Sequence, residues 1–166
     1  SHYTSPVKEH LATRAGTGVF DVSHMGQVFV HGPGALALLQ HVLTNDLEKV
    51  QIGQSRYSPM CRADGGIIDD LIAYRIGPQD YLLCVNASNI AVDVAWLTAQ
   101  ADGFEATVNN ESCAYAQIAV QGPNSLSVLQ SVSPFKTETT LADLKFTDIT
   151  GDGQGRFVAR TGYTGE

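Results

Sequence analysis

Asp69 and Asp70 stand side by side inside Ile67-Ile68-Asp69-Asp70-Leu71-Ile72-Ala73-Tyr74, an otherwise apolar run with the composition of a strand. Successive strand side chains point to opposite faces, so Ile67, Asp69, Leu71 and Ala73 share one side while Ile68, Asp70, Ile72 and Tyr74 share the other. An ionised carboxylate in an apolar setting is costly unless it is paired or hydrogen-bonded. A chain that places two here either solvates one face of the strand or uses the acid. On the second face a carboxylate and a phenol lie four residues apart, which lets Asp70 and Tyr74 share a ligand.

Other chemistries find little footing. The chain has no GxSxG, Walker or GxGxxG signature, and Gly16-Thr17-Gly18 lacks the preceding strand that a dinucleotide site needs. Asp21, Ser23 and His24 lie too close together in one short segment for their side chains to converge as a triad. Cys61 has no neighbouring base to activate it. His2, His10, His24, His31 and His41 show no paired-ligand spacing, so no metal site is expected. Cys61, Cys84 and Cys113 fit neither a disulfide framework nor a CxxC site and read as reduced, buried thiols of a cytosol-like compartment.

The elements that must position the acids follow from periodicity and turn residues. Val7 to Ala15 is helix-like, Val19 to Val22 is a short apolar segment, and Gln27 to Val30 alternates as a strand that ends at Gly32-Pro33. A helix is expected over Ala35 to Leu43, with strands over Ser55 to Cys61, Ile67 to Ile76 and Tyr81 to Asn86. Asn89 is a candidate cap for a helix over Ile90 to Gln100 with Val92, Ala95 and Trp96 on its apolar stripe. Strands are expected again at Phe104 to Val108, Tyr115 to Val120 and Arg156 to Arg160.

The chain also repeats itself. Gln117-Ile118-Ala119-Val120-Gln121-Gly122-Pro123 through Gln130 matches Gln27-Val28-Phe29-Val30-His31-Gly32-Pro33 through Gln40 at an offset of 90 residues, with identities that include both Gly-Pro pairs. That offset exceeds the 20–50 residues of solenoid repeats and points to a duplicated strand, Gly-Pro turn and helix. The fold class is therefore α+β, with mixed or antiparallel sheets, packed helices and two related strand-GlyPro-helix units. Repeat units are expected over residues 27–100 and 117–166. The second should continue into further strands, so both ends of the chain read as cut.

Composition sets the outer limits. At 166 residues and 43% hydrophobic the chain can build one well-cored domain. Its net charge of −7 argues against a nucleic-acid partner, and no apolar run approaches the roughly 20 residues that span a bilayer.

Five blocks in register carry a resemblance: Phe20-Asp21-Val22-Ser23-His24-Met25, Gly65 to Ile72, Val85-Asn86-Ala87-Ser88-Asn89, Val120-Gln121-Gly122-Pro123 and Thr161-Gly162-Tyr163-Thr164-Gly165-Glu166. In that order the chain resembles the N-terminal folate-binding portion of the glycine cleavage system T proteins, which are aminomethyltransferases. The resemblance implies a tetrahydrofolate-dependent transferase that takes an aminomethyl group from the lipoyl arm of a carrier (H) protein, passes the one-carbon unit to folate and releases ammonia. It implies that Asp70 is the catalytic aspartate, that Tyr57, Tyr74, Asn86 and Tyr163 contact folate, and that Met25 walls the pterin. It further implies a glutamate a few residues past Glu166, arginines beyond it and a C-terminal barrel, all outside these residues, so that this chain by itself is expected to bind folate weakly. The implied compartment is the cytoplasm, or the mitochondrial matrix in a eukaryote. Folate-dependent demethylases, the folate domain of methylglycine oxidoreductases and iron–sulfur maintenance proteins share the fold and stand as the alternative; the Asp69-Asp70 pair argues for the transferase.

Overall fold

A computed structural model describes residues 3–132 and 141–162. Helix α1 (Pro6–Ala15) starts where Ser5 accepts a hydrogen bond from the Lys8 amide and proline occupies the first turn. Strand β1 (Gly18–Asp21) and strand β2 (Gly26–His31) follow, then α2 (Ala35–Val42), β3 (Gln54–Cys61), β4 (Ile67–Arg75), β5 (Asp80–Val85) and α3 (Ile90–Gln100). The second half supplies β6 (Thr107–Asn110), β7 (Ile118–Gln121), α4 (Ser125–Val132), β8 (Ile149–Gly151) and β9 (Phe157–Ala159). The class is α+β, and every described strand pairing is antiparallel.

The main sheet has the order β3-β4-β5-β2-β6. Its central strand β5, Tyr81-Leu82-Leu83-Cys84-Val85, is buried on both sides, as a strand with neighbours above and below must be. One face packs on helices: Val28, Val30, Leu71, Ala73, Leu83 and Val85 meet Leu38, Leu39 and Leu97. Each Val or Leu among them taken fully out of water is worth about 1.5–3 kcal/mol. The opposite face carries a smaller cluster of Met25, Phe29, Tyr74, Leu82 and Cys84, against which Ile149 and Phe157 of the β8-β9 ribbon pack. The site lies on this second face.

The two related units exchange strands. β1 precedes β2 in the chain but pairs with β7, while β6 precedes β7 and pairs with β2. The registers correspond throughout: Val30 faces Val108 where Val120 faces Val19, and Val28 faces Asn110 where Ile118 faces Asp21. The same correspondence holds in detail. Ser112 Oγ accepts the Gln27 amide and Ser23 Oγ the Gln117 amide, each at 3.0 Å, and Glu105 O accepts Gly34 N where Gly16 O accepts Asn124 N. At the centre, Gln27 Nε2 donates to Gln117 Oε1 at 2.7 Å, so the two equivalent glutamines meet each other. Because β1 and β2 belong to different sheets, the chain turns between them at Val22–Met25 and delivers Met25 to the second face.

Several local expectations shift. β6 starts at Thr107 rather than Phe104, and β7 at Ile118 rather than Tyr115. On α3 the buried positions are Asp93 and Leu97, one turn apart, while Val92 is exposed. Asn89 occupies the cap position of α3 but makes no capping bond; its side chain is turned to Asp69, to which Nδ2 donates. Of the three thiols only Cys84 is buried; Cys61 is half-buried and Cys113 exposed, against the expectation that all three would be enclosed.

Gly32 and Gly122, the equivalent turn glycines, have φ of +116° and +109°, and a Cβ on either would collide with the carbonyl of Glu105 or of Thr13 and Gly16. Gly65 has φ +85° but open space around its Cβ position. Gly32→Ala and Gly122→Ala are each expected to cost about 1–3 kcal/mol in backbone strain, plus the displacement of the facing strand. Gly65→Ala should cost only about 1 kcal/mol. Urea unfolding midpoints check this, and equal losses at all three positions would contradict the close approach.

Candidate functional site

The two faces of β4 separate the adjacent acids. Asp69 turns toward the helices and is 5% exposed, whereas Asp70 turns to the other face and is exposed. Asp69 accepts from the Asn86 amide N at 3.1 Å, from Asn86 Nδ2 at 2.8 Å and from Asn89 Nδ2 at 2.8 Å. Burial pushes the Asp69 carboxyl up, but the hydrogen bonds from Asn86, Asp93 and Asn89 outweigh it and hold the group below its ordinary value. Beneath it stands Asp93 of α3, fully buried, pushed up to about 8 by desolvation and by its hydrogen bond to, and the charge of, Asp69.

Asn86 connects the two acids. Besides its bonds to Asp69, its Nδ2 donates to the Asp70 carbonyl at 2.9 Å and reaches the Asp70 carboxylate Oδ1 at 3.3 Å. From β3, the Tyr57 phenol faces the Asp70 carboxylate; partial desolvation and the nearby Asp70 carboxylate raise it above its usual range. Tyr57 faces Ile72 across the ladder, which sets its ring diagonal to Asp70 on the same side of the sheet.

These groups open into a cavity of about 300 Å³. Met25, Ile72 and Cys84 give it an apolar floor, Tyr57, Asp70 and Asn86 a polar edge, and Phe146, Thr147, Thr161 and Gly162 the opposite wall. Its size is at the lower end of small-molecule sites, and an apolar slot with a few convergent polar groups is the usual form of one. A neighbouring cleft of about 340 Å³ along Asn45, Gln54 and Arg56 shares Ser55, Tyr57 and Thr147 with it. That cleft lacks both the acid and the apolar floor, so the chemistry belongs to the first.

The cavity thus gathers Met25, Tyr57, Asp70 and Asn86. Tyr74 stands outside its lining: it is buried in the second-face cluster, its hydroxyl reaches Thr161 Oγ1 at 3.4 Å, and burial raises it to about 12. Its reach to a shared ligand with Asp70 is replaced by contact with the wall. Tyr163 lies outside the described residues. Sequence reasoning missed Asp93, Cys84, Thr147 and Thr161. Asp93 did leave a signal, as the single charge in Ile90-Ala91-Val92-Asp93-Val94-Ala95-Trp96-Leu97. Thr147, with φ +80°, left none: its carbonyl accepts the Ser55 amide and hydroxyl at 2.8 and 2.9 Å and fixes the wall to β3.

Three comparisons bear on what such a site serves. The family model described as GCVT N-terminal domain matches residues 2–166. An aminomethyltransferase of Exiguobacterium sibiricum is 48% identical over 99% of this chain and 45% of its own length, and one of Streptomyces avermitilis is 48% identical over 99% and 44%. The crystal structure of glycine cleavage system aminomethyltransferase T from Bartonella henselae superposes with a TM-score of 0.83 at 38% identity, covering 98% of this chain and 44% of that one. The chain therefore spans a little under half the length of the relatives it matches.

Asn86→Ala removes the amide that serves both acids and leaves Asp69 short of a donor; it should lower unfolding free energy by about 1.5–3 kcal/mol at pH 7. Asp69 sits below its unfolded value, so the stability it contributes is present above about pH 4 and is lost as pH falls through the folded value. In Asn86→Ala that loss should begin at higher pH, which acid unfolding followed by circular dichroism reads. An Asn86→Ala protein as stable and as acid-resistant as the parent would contradict the bridge.

Proposed function

The chain belongs to the GCVT N-terminal domain family, and from that membership we propose that it forms the folate-binding portion of an aminomethyltransferase of the glycine cleavage system. The complete protein would take the one-carbon unit from an aminomethyl-lipoyl carrier protein, pass it to tetrahydrofolate and release ammonia. The observation that carries this reading is Asp70, an exposed carboxylate at the edge of an apolar cavity, met by Asn86 Nδ2 and faced by Tyr57. The curated relatives are named aminomethyltransferases, which favours this reading over the demethylase, oxidoreductase-domain and iron–sulfur maintenance alternatives.

The residues suit a pterin. A flat heterocycle with a polar edge needs an apolar floor and a few fixed polar partners, and the cavity offers Met25, Ile72 and Cys84 for the first and Asp70 and Asn86 for the second. Tetrahydrofolate supplies the nitrogen that accepts the one-carbon unit. Asp70 orients that nitrogen through a charge-assisted hydrogen bond and opposes the positive charge that develops as the carbon is transferred. Asn86 and Tyr57 hold the carboxylate so that it does not reorganise at the moment of transfer. Phe146 and Thr147 line the slot from the opposite side. Tyr163 is proposed as a further contact, as are the lipoyl carrier as partner and the bacterial cytoplasm as compartment. No helix among the described residues is long and apolar enough to cross a membrane. A C-terminal barrel beyond this portion, and repeat units over 27–100 and 117–166, belong to the same proposal.

In the complete gene product, Asp70→Asn keeps the shape of the carboxylate and removes its charge, so turnover should fall by about 10²–10⁴-fold with little change in thermal stability. Asp69→Asn should instead be read mainly in stability, because its charge is satisfied by Asn86, Asn89 and Asp93 rather than presented to the cavity. Steady-state assay of methylenetetrahydrofolate formation decides it; wild-type turnover in Asp70→Asn would remove the proposal.

A further inference from the structure

Asp93 has the most unusual setting of the groups around Asp69. It is the one charged residue of α3, it is fully buried, and among the described residues neither of its carboxylate oxygens has an amide, hydroxyl or cationic donor within reach. Its polar neighbour is Asp69, another carboxylate: Asn89, one helical turn before Asp93 at the start of α3, donates to Asp69 at 2.8 Å, which brings this face of α3 against that side of β4. Two ionised carboxylates have no hydrogen to share, so with both charged the contact is repulsive and Asp93 is without a hydrogen bond. One proton converts the same contact into a bond in which Asp93 donates and Asp69 accepts. Asp69 is the member better suited to keep the charge, since it already accepts three bonds from Asn86 and Asn89.

We propose that Asp93 is a positioning residue of the site: kept as a neutral acid, it donates its proton to Asp69 and thereby holds Asn86, the residue that orients Asp70. The chain of contacts is short. Asp93 faces Asp69, Asp69 fixes the main-chain and side-chain amides of Asn86, and the same Asn86 Nδ2 meets the Asp70 carbonyl and carboxylate. Loss of the proton puts a second negative charge beneath Asp69, and the two carboxylates separate. Asn86 then loses the geometry it shares with Asp70.

Among the described residues, Asp69 is the one charge that acts on Asp93. The turn at Ala87–Asn89, β6 and β2's helix-side residues Val28 and Val30 carry no titratable group. On β4, Asp70 and Tyr74 face the opposite side, and Arg75 is bound to the carbonyls of Val50 and Pro78. Tyr81 of β5 faces the helices but lies across from Arg75, six residues along from Asp69. His41 of α2 pairs with Gln100 at the far end of α3. Burial and the Asp69 charge push Asp93 up to about 8, so the switch lies in the mildly alkaline range. The sign follows. A carboxyl whose folded value is raised contributes stability that is complete below about pH 4 and is lost as pH rises through about 8, opposite to Asp69.

The link to function rests on the folate reading, and the test separates the two. In ¹⁵N- and ¹³C-labelled chain, the Asn86 side-chain amide signals should move between pH 7 and 9 together with the Asp93 carboxyl carbon. In Asp93→Asn, whose amide donates at every pH, the Asn86 signals should stay fixed over that range. Asp93→Leu, which has no donor, should show at pH 7 the Asn86 signals that the parent shows at pH 9; if it does not fold, the parent and Asp93→Asn suffice. An Asp93 carboxyl already ionised at pH 7, or Asn86 signals indifferent to its titration, overturns the proposal. In the complete protein, the dissociation constant for tetrahydrofolate should rise about tenfold from pH 7 to 9, as the competent fraction falls from about 0.9 to about 0.09, and Asp93→Asn should flatten that rise. Absence of folate binding at every pH would sink the functional reading, while the Asn86 signals would still decide the role of Asp93.

Discussion

An extended strand cannot turn two consecutive side chains the same way, and β4 uses that constraint to give neighbouring carboxylates opposite surroundings. Asp69 is held under α3 by three amide donors and a neighbouring acid, while Asp70 meets the open cavity. Asn86 touches both, so the satisfied charge on one face positions the free one on the other. An unpaired carboxylate in the place of Asp69 would carry a desolvation cost of several kcal/mol. The polar network that meets this cost is also the one that fixes the site.

The strand exchange explains why the cavity has its floor. Had β1 and β2 formed a hairpin in one sheet, the chain between them would be a tight surface turn. Instead β1 pairs with β7, β2 joins the main sheet, and the crossing between them lays Met25 against Cys84 and Tyr74. Gln27 and Gln117 meet at the centre of this arrangement, and Gln117 Oε1 also accepts from the Cys84 thiol at 3.6 Å. The junction of the two related units therefore reaches the cavity lining through one side chain.

Much of this was legible in the chain. Alternation alone assigned Asp69 and Asp70 to opposite faces, and the Gly-Pro repeat marked the two units whose registers correspond. The helix Ile90–Gln100 appears within the expected bounds, but its buried stripe does not, because a stripe read by hydrophobicity passes over the residue that matters: Asp93 is polar and fully buried. Asn89 reads as a helix cap by position, yet long-range attraction to Asp69 outbids the local bond. Tyr74 shares the face of Asp70, but a phenol is long enough to bury itself beside the cavity rather than line it. The strand exchange and the wall at Thr147 depend on contacts about 90 to 100 residues apart and leave no local pattern.

The central claim is that the two acids of β4 divide the work, Asp70 toward ligand and Asp69 toward structure. Carboxyl-carbon and methyl NMR spectra of the chain, titrated with tetrahydrofolate into the millimolar range at pH 7, test it directly. The account predicts that the Asp70 carboxyl and the Met25 methyl signals shift in a saturable way while those of Asp69 and Asp93 stay in place. Saturable shifts of Asp69 with Asp70 unmoved would contradict it.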